Sequence, residues 1–328
     1  MIAVTGGGGF LGRELVELLT REGGKLRLLS RTAPESPSLE HRATDLVQAS
    51  PAELSESLRG VKILYHLAGR VSRDPADGPA LMELHVEGLR KLLAAAQSRK
   101  VRRVILVSTS GTVGVSRNPD AIATDDSPYA VELASRWPYY ASKIYQEKTA
   151  LGWARENKRE LIILRPSLLL GPGDADQSST GDVVRFLQGK TIFAPAGGLS
   201  FVDVRDAALA LVRSGSVKIK DLKEEPRTYL LGAANWSFVE FTRVLSRLSG
   251  TAAPRVKISP GLARAGAKLL SFAGDRLRAR FGASESEAEM SSCYWYIDSS
   301  RALAELGITL RSPEETLRDT IQYIRSRP

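Results

Sequence analysis

The feature that most constrains this chain is a glycine-rich segment near its first residue. Residues 5–12 read TGGGGFLG and stand between an apolar run at 2–5 and an amphipathic helical pattern at 11–21. Glycine allows a tight turn and close approach of the backbone to a ligand, and the first turn of a helix offers free N–H groups to phosphate. We therefore predict that this segment binds the pyrophosphate of a dinucleotide, through Gly6, Gly9, Phe10, Leu11 and Gly12.

Short apolar runs alternate with helical patterns through the first half of the chain. The candidate strands, apolar at consecutive positions as in strands buried on both faces, are 2–5, 26–30, 63–67, 104–108 and 161–165. This alternation predicts an α/β fold with a Rossmann-type, doubly wound parallel sheet. We expect an NADP-binding Rossmann domain over 1–170. A smaller C-terminal α/β lobe over 171–328 is expected to bind mainly substrate, with segments such as 200–213 returning to the core.

The composition disfavours several classes of protein. A single cysteine, Cys293, allows no internal disulfide and suits the cytoplasm, and with only three histidines a metal site is not expected. No apolar run approaches the roughly 20 residues of a membrane span. The net charge of +9 suits a phosphorylated cofactor. The aromatic interleaving of a single-strand nucleic-acid platform is absent, so no nucleic-acid partner is expected.

The end of the second candidate strand indicates which dinucleotide is bound. An acidic side chain at this point would accept a hydrogen bond from the ribose 2′-hydroxyl of NAD, but the chain has Ser30 and Arg31. Arg31 can pair with a 2′-phosphate, and no carboxylate repels it. We predict NADP(H) as the cofactor rather than NAD.

Tyr139 and Lys143 are four residues apart in a helical pattern and therefore share one helix face. A neighbouring ammonium is expected to lower the pKa of the phenol, which favours proton transfer to a carbonyl oxygen. Tyr140 lies about 100° further around the helix and serves as the comparison residue. The run 105–110 is a strand that ends in three hydroxyls at the edge where doubly wound sheets bind ligands.

Together these residues resemble the extended short-chain dehydrogenases/reductases, particularly the dihydroflavonol reductase-like and 3β-hydroxysteroid dehydrogenase-like enzymes. The resemblance covers most of the chain, from the glycine segment through Tyr139 and Lys143 to the FVDVRD run at 201–206. It implies that Ser110 is the catalytic hydroxyl, with Tyr139 as acid/base and Lys143 as its partner. It also implies cofactor-binding roles for Asp45 and Leu46 beside the adenine and for Ala68, Gly69 and Pro166 along the cofactor cleft.

The chain departs from this family at two places. His85 stands where the family often has asparagine in an NVxGT stretch, and a structural role is expected for it. The tyrosine that usually follows the serine strand is missing from the run TVGV at 112–115.

Three functions remain open. The first is an NADP(H)-dependent oxidoreductase acting on a ketone, an aldehyde or the corresponding alcohol of a hydrophobic small molecule. The second is a nucleotide-sugar epimerase or dehydratase, which lacks support because related dehydratases have an acidic pair where this chain has Gly111 and Thr112. The third is a non-catalytic NADP-sensing protein. A basic amphipathic segment at 258–281 is expected to cover the substrate rather than contact a membrane, and a homodimer is left open.

Overall fold

The computed structural model describes residues 1–34, 39–191, 193–218, 220–222, 225–254, 256–257 and 285–327. Within these residues the strands are β1 (Ile2–Thr5), β2 (Leu26–Ser30), β3 (Glu40–Ala43), β4 (Ile63–His66), β5 (Arg103–Val107), β6 (Glu160–Pro166), β7 (Leu168–Leu170), β8 (Phe193–Ala194), β9 (Gly198–Asp203), β10 (Arg227–Leu231), β11 (Ala234–Ser237), β12 (Val256–Lys257) and β13 (Tyr294–Trp295). The helices are α1 (Phe10–Arg21), α2 (Pro51–Ser57), α3 (Gly78–Met82), α4 (Leu89–Ser98), α5 (Val131–Ala134), α6 (Pro138–Asn157), α7 (Gly181–Leu187), α8 (Val204–Ser216), α9 (Phe238–Ser249), α10 (Glu285–Ser291), α11 (Ser300–Leu306) and α12 (Pro313–Ser326).

Seven strands form the main sheet in the order β10-β6-β5-β4-β1-β2-β3, and every described pairing in it is parallel. The strand order reverses at β1, which pairs with β2 on one side and β4 on the other. This reversal is the switch point at which doubly wound sheets bind ligands beyond the carboxyl ends of their strands. The predicted Rossmann-type fold is confirmed.

Both faces of the main sheet are covered by helices because side chains alternate along each strand. Val4 and Ile105 point into a core built with α1 and α8, whereas Ala3 and Leu106 point into a second core built with α2, α4 and α6. Strands buried on both faces must be apolar at consecutive positions, which is the pattern read from the sequence.

The second half of the chain contributes to both layers of the molecule. Strand β9 pairs with β7, β11 and β13 in a smaller mixed sheet. In contrast, β10 joins the main sheet beside β6, and α8 packs on α1. Elements that precede residue 170 in sequence and elements that follow it both belong to the layer of the main sheet. The domain boundary at residue 170 therefore stays a prediction.

The sequence placed five strands of the main sheet within one residue at either end, but it missed β3 and β10. Strand β3 reads EHRA and occupies the edge of the sheet, so it has no apolar run. The basic segment 258–281 lies outside the described residues. Among the helices that the structure describes, none is long and apolar enough to cross a membrane.

Helix α6 is held against the main sheet by a buried ion pair. The Arg165 guanidinium on β6 donates to both carboxylate oxygens of Glu147 on α6, with the shortest N–O distance 2.6 Å. The Glu147 side chain is 0% exposed and also accepts hydrogen bonds from the Tyr129 and Thr112 hydroxyls. Because the carboxylate is fully bonded, the helix can bury a charge against the sheet.

Replacing Glu147 with glutamine should lower the free energy of unfolding by about 3–5 kcal/mol, since it leaves the buried Arg165 charge uncompensated. The measurement is urea unfolding followed by circular dichroism. Glu17→Gln is the control, because Glu17 pairs with Arg21 at the surface of α1 and such pairs contribute little. Equal midpoints for the two variants would contradict the anchoring role of Glu147.

Candidate active site

The glycine turn between β1 and α1 has the geometry of a phosphate cradle. Gly6 has φ +71°, and a Cβ on it would lie 2.6 Å from the Ala68 nitrogen at the end of β4. A Cβ on Gly12 would lie 2.0 Å from the Gly6 carbonyl oxygen. Gly9 caps α1 without a side-chain hydrogen bond, which leaves the first N–H groups of the helix for a ligand. Glycine is thus required where the backbone must come closest to its neighbours.

The polar end of the cleft lies beyond the carboxyl ends of β2 and β3. Arg31 is exposed at its rim, and the Ser30 hydroxyl donates to the Thr32 carbonyl at 2.7 Å. The Asp45 carboxylate accepts hydrogen bonds from the backbone N–H groups of Val47 and Gln48. Asp45 therefore shapes the loop that holds Leu46 beside the cleft.

One continuous cleft, with a volume of about 3260 Å³, runs from this end to the region of α6. It is several times larger than the roughly 300–1,000 Å³ of a typical small-molecule pocket, which leaves space for a dinucleotide and a second ligand. All the predicted site residues line it: Gly6, Gly9, Phe10, Leu11, Gly12, Arg31, Asp45, Leu46, Ala68, Gly69, Ser110, Tyr139, Lys143 and Pro166. Among the described residues no group of His, Cys, Asp and Glu side chains is arranged to hold a metal ion.

The Tyr139 phenol lies in the deep part of the cleft, at the start of α6. Burial raises its pKa above the ordinary value, as does the neighbouring phenol of Tyr140, and hydrogen bonding with the Thr109 side chain lowers it in part. The net direction is therefore upward, opposite to the lowering expected from Lys143. Burial dominates, so the phenol holds its proton at neutral pH.

The Lys143 ammonium lies at the same end of the cleft and is almost fully buried. It donates to the Gln146 side-chain oxygen at 2.8 Å and to the Val107 carbonyl at 3.1 Å. Burial lowers the pKa of Lys143 to about 8, and the Glu147 carboxylate one helical turn further on partly opposes that shift. Two of its three N–H bonds are thus directed at acceptors other than the Tyr139 phenol.

Two hydroxyls at the end of β5 compete for the role given to Ser110. The Ser110 side chain is buried, begins a 3₁₀ turn (Ser110–Thr112) and lines the cleft. Thr109 caps that turn, and its side chain is the neighbouring hydroxyl that lowers the pKa of the Tyr139 phenol. These neighbours cannot be separated from the sequence, because both are small hydroxyl residues at the end of a strand.

The wall of the cleft opposite the glycine turn is aromatic and apolar. The rings of Tyr140 and Trp295 are 4.9 Å apart at an angle of 31°, and Trp137 packs on both. Gly111 is needed beneath them, since a Cβ there would lie 2.2 Å from the Tyr140 ring. Tyr140, taken as a comparison residue from its position on the helix, therefore also lines the cleft.

The fold and the site together define a dinucleotide-binding α/β protein of the short-chain dehydrogenase/reductase type. A model of the NAD dependent epimerase/dehydratase family matches residues 2–232. The chain belongs to that family, within the extended short-chain dehydrogenases/reductases.

Individual relatives agree with this placement. A protein named "Putative dihydroflavonol 4-reductase" from Synechocystis sp. is 29% identical over 332 residues, which cover 98% of this chain and 94% of the relative. Cinnamoyl-CoA reductase 1 of Oryza sativa subsp. japonica is 32% identical over 228 residues, which cover 65% of this chain and 66% of that protein. The crystal structure of gox2253 is similar with a TM-score of 0.83 and 27% identity, covering 99% of this chain and 98% of that one.

Proposed function

We propose that this protein is an NADP(H)-dependent oxidoreductase that reduces the ketone or aldehyde of a hydrophobic small molecule, or oxidises the corresponding alcohol. The observation that carries the proposal is that Tyr139, the Thr109 hydroxyl and Lys143 lie at one end of the cleft that begins at the glycine turn. The two relatives named as reductases support the same reaction class.

The cofactor site fits a dinucleotide. The close approaches at Gly6 and Gly12, where no Cβ has room, and the uncapped start of α1 suit a pyrophosphate. Arg31 at the rim would pair with a 2′-phosphate, and Ala68, Gly69 and Pro166 would contact the rest of the cofactor. When bound, NADP(H) supplies or accepts the hydride at the substrate carbon.

The protein's own side chains transfer the proton that the carbonyl oxygen requires. In the reducing direction Tyr139 donates the phenolic proton to the carbonyl oxygen as the carbonyl carbon gains hydride, which yields the alcohol. The phenol carries its proton at neutral pH and can therefore donate it. The Lys143 ammonium favours the resulting phenolate, and a hydroxyl at 109 or 110 donates to the same carbonyl oxygen.

The walls of the cleft favour a substrate with a flat, apolar body. Tyr140, Trp137 and Trp295 form an aromatic surface beside Tyr139, and Met290 and Phe241 also line the cleft. Ring pairs of this kind offer π-faces to an aromatic or polycyclic ligand. A small-molecule substrate and a cytoplasmic location, both expected from the sequence, belong to the same proposal. A homodimer is left open.

The dehydratase alternative has less support at the residues that would perform it. Gly111 has no side chain, and the Thr112 hydroxyl donates to Glu147 and to the Thr109 carbonyl. The Glu147 carboxylate is itself bonded to Arg165 and Tyr129. No free acid or base therefore follows the hydroxyls of β5 to remove water from a sugar.

Replacing Tyr139 with phenylalanine removes one oxygen and keeps the ring, so the fold and the glycine turn should be unaffected. We expect kcat for a ketone to fall by about 10²–10⁴-fold, as is typical when a general acid is lost. The measurement is NADPH oxidation against a panel of ketones, aldehydes and nucleotide sugars. Tyr145→Phe is the control, because Tyr145 lies on the same helix and is 54% exposed. Full activity in the Tyr139 variant would refute the mechanism.

The two hydroxyls at the end of β5 can be separated by paired variants. We expect Thr109→Val to lower kcat more than Ser110→Ala, because the Thr109 side chain lowers the pKa of the Tyr139 phenol. NADPH affinity should stay nearly constant in both, since these hydroxyls act beside the substrate. A larger loss of kcat in Ser110→Ala would return the role to Ser110, as the family resemblance implies.

Cofactor preference depends on Arg31. Wild-type protein should bind NADPH more tightly than NADH, and Arg31→Asn should weaken NADPH binding by about 10–100-fold through loss of charge-assisted hydrogen bonds. Adding Ser30→Asp should reverse the preference, because its carboxylate repels a 2′-phosphate. Fluorescence titration with both cofactors measures this. Arg59→Asn, which alters a surface pair with Glu56, should change neither affinity. Tighter binding of NADH to the wild type would contradict the assignment.

A further inference from the structure

His85 lies buried between two parts of the candidate active site, although the proposed mechanism uses neither of its ring nitrogens. It belongs to a π-helical turn, Glu83–Gly88, between α3 and α4. Such widened turns are frequent at functional sites. The edge of the imidazole faces the Tyr139 ring, with centroids 6.0 Å apart and planes at 74°.

The hydrogen bonds around His85 define one direction of donation. The backbone N–H of Arg70 donates to Nε2 at 3.1 Å, so this nitrogen carries no proton. The proton of a neutral imidazole is then on Nδ1, which donates to the Ser142 hydroxyl at 2.8 Å. Ser142 in turn donates to the Tyr139 carbonyl at 2.7 Å. The chain of bonds connects the turn after β4 with the backbone of Tyr139.

This chain requires an uncharged imidazole, because a protonated Nε2 cannot accept from Arg70. Burial lowers the pKa of His85 far below its usual value, and the Lys143 ammonium and His66 lower it further. The imidazole is therefore neutral at neutral pH.

The same turn also meets the reacting end of the cleft. A Cβ placed on Gly69 would lie 3.1 Å from His85 Nε2 and 3.6 Å from Lys143 Nζ. Gly69, His85 and Lys143 therefore converge beside the expected cofactor position, where a shift of about 1 Å can cost about 10²-fold in rate.

We propose that His85 is a positioning residue, whose neutral imidazole ties the Gly69–Arg70 turn to the backbone of Tyr139 and thereby sets the phenol relative to the cofactor-facing turn. This inference goes beyond the proposed function and rests on it only for the kcat measurements described below.

Two amide substitutions separate the two ring nitrogens. The asparagine amide reaches roughly the position of Nδ1, and the glutamine amide roughly that of Nε2. His85→Asn should keep the bond to Ser142 and lose the bond to Arg70, so backbone exchange at Arg70 should accelerate, and kcat should fall by about 10-fold because the tie is broken at the turn. His85→Gln should keep Arg70 protected and lower kcat by about 10-fold, the effect of one lost hydrogen bond.

Ser142→Ala should reproduce the kcat loss of His85→Gln, and the double variant should lose no more than either single one, because both changes break the same chain. Ser214→Ala is the matched control. Its hydroxyl donates to the Ala210 carbonyl within α8, is buried, and lies outside the cleft-lining residues, so kcat should not change.

Three results would overturn the proposal: equal exchange at Arg70 in the asparagine and glutamine variants, additive losses in the double variant, or an equal kcat loss in Ser214→Ala. Amide exchange by NMR and the ¹⁵N shifts of the imidazole, which report the protonated nitrogen, need no substrate. If the wild type reduces no carbonyl compound, the proposed function fails, and the exchange pattern still decides the role of His85.

Discussion

The buried pair of Glu147 and Arg165 is the interaction on which the position of α6 depends. Tyr139, Lys143 and Glu147 follow one another at intervals of four, so they share the face of the helix that meets the sheet. This face is polar over its first turns and becomes apolar only at Ala150 and Ala154. A helix can bury such a face only when each polar group finds a partner, and the carboxylate of Glu147 has three.

The same helix also positions the lysine. Gln146 and the Val107 carbonyl accept two of its N–H bonds. Burial lowers the pKa of this ammonium to about 8, against the opposing effect of the Glu147 carboxylate. The site is therefore held by hydrogen bonds around a charge that burial disfavours.

The sequence was informative wherever one residue type has one physical reason to be present. Gly6 and Gly12 belong to this group because a Cβ has no room there, and the doubly apolar strands belong to it because both of their faces are buried. It was uninformative where neighbours are chemically equivalent, as for Thr109 and Ser110, whose difference depends on the path of a 3₁₀ turn. His85 was recognised only as a departure from a family pattern, since its partners Arg70 and Ser142 are distant in sequence and not distinctive in type. The position of β10 at the edge of the main sheet could not be predicted either, because it depends on how the segments between β6 and β10 are arranged.

That chain path has a consequence for how the molecule reaches its native state. Strand β10 closes one edge of the main sheet by pairing with β6, although about sixty residues separate them, and α8 covers a face of α1 near the opposite end of the chain. A nascent chain released only as far as β6 would expose an unpaired edge and an uncovered apolar face. Such contacts between distant segments slow folding and favour aggregation of partly folded chains. The main sheet is thus completed only after the chain has been synthesised as far as β10.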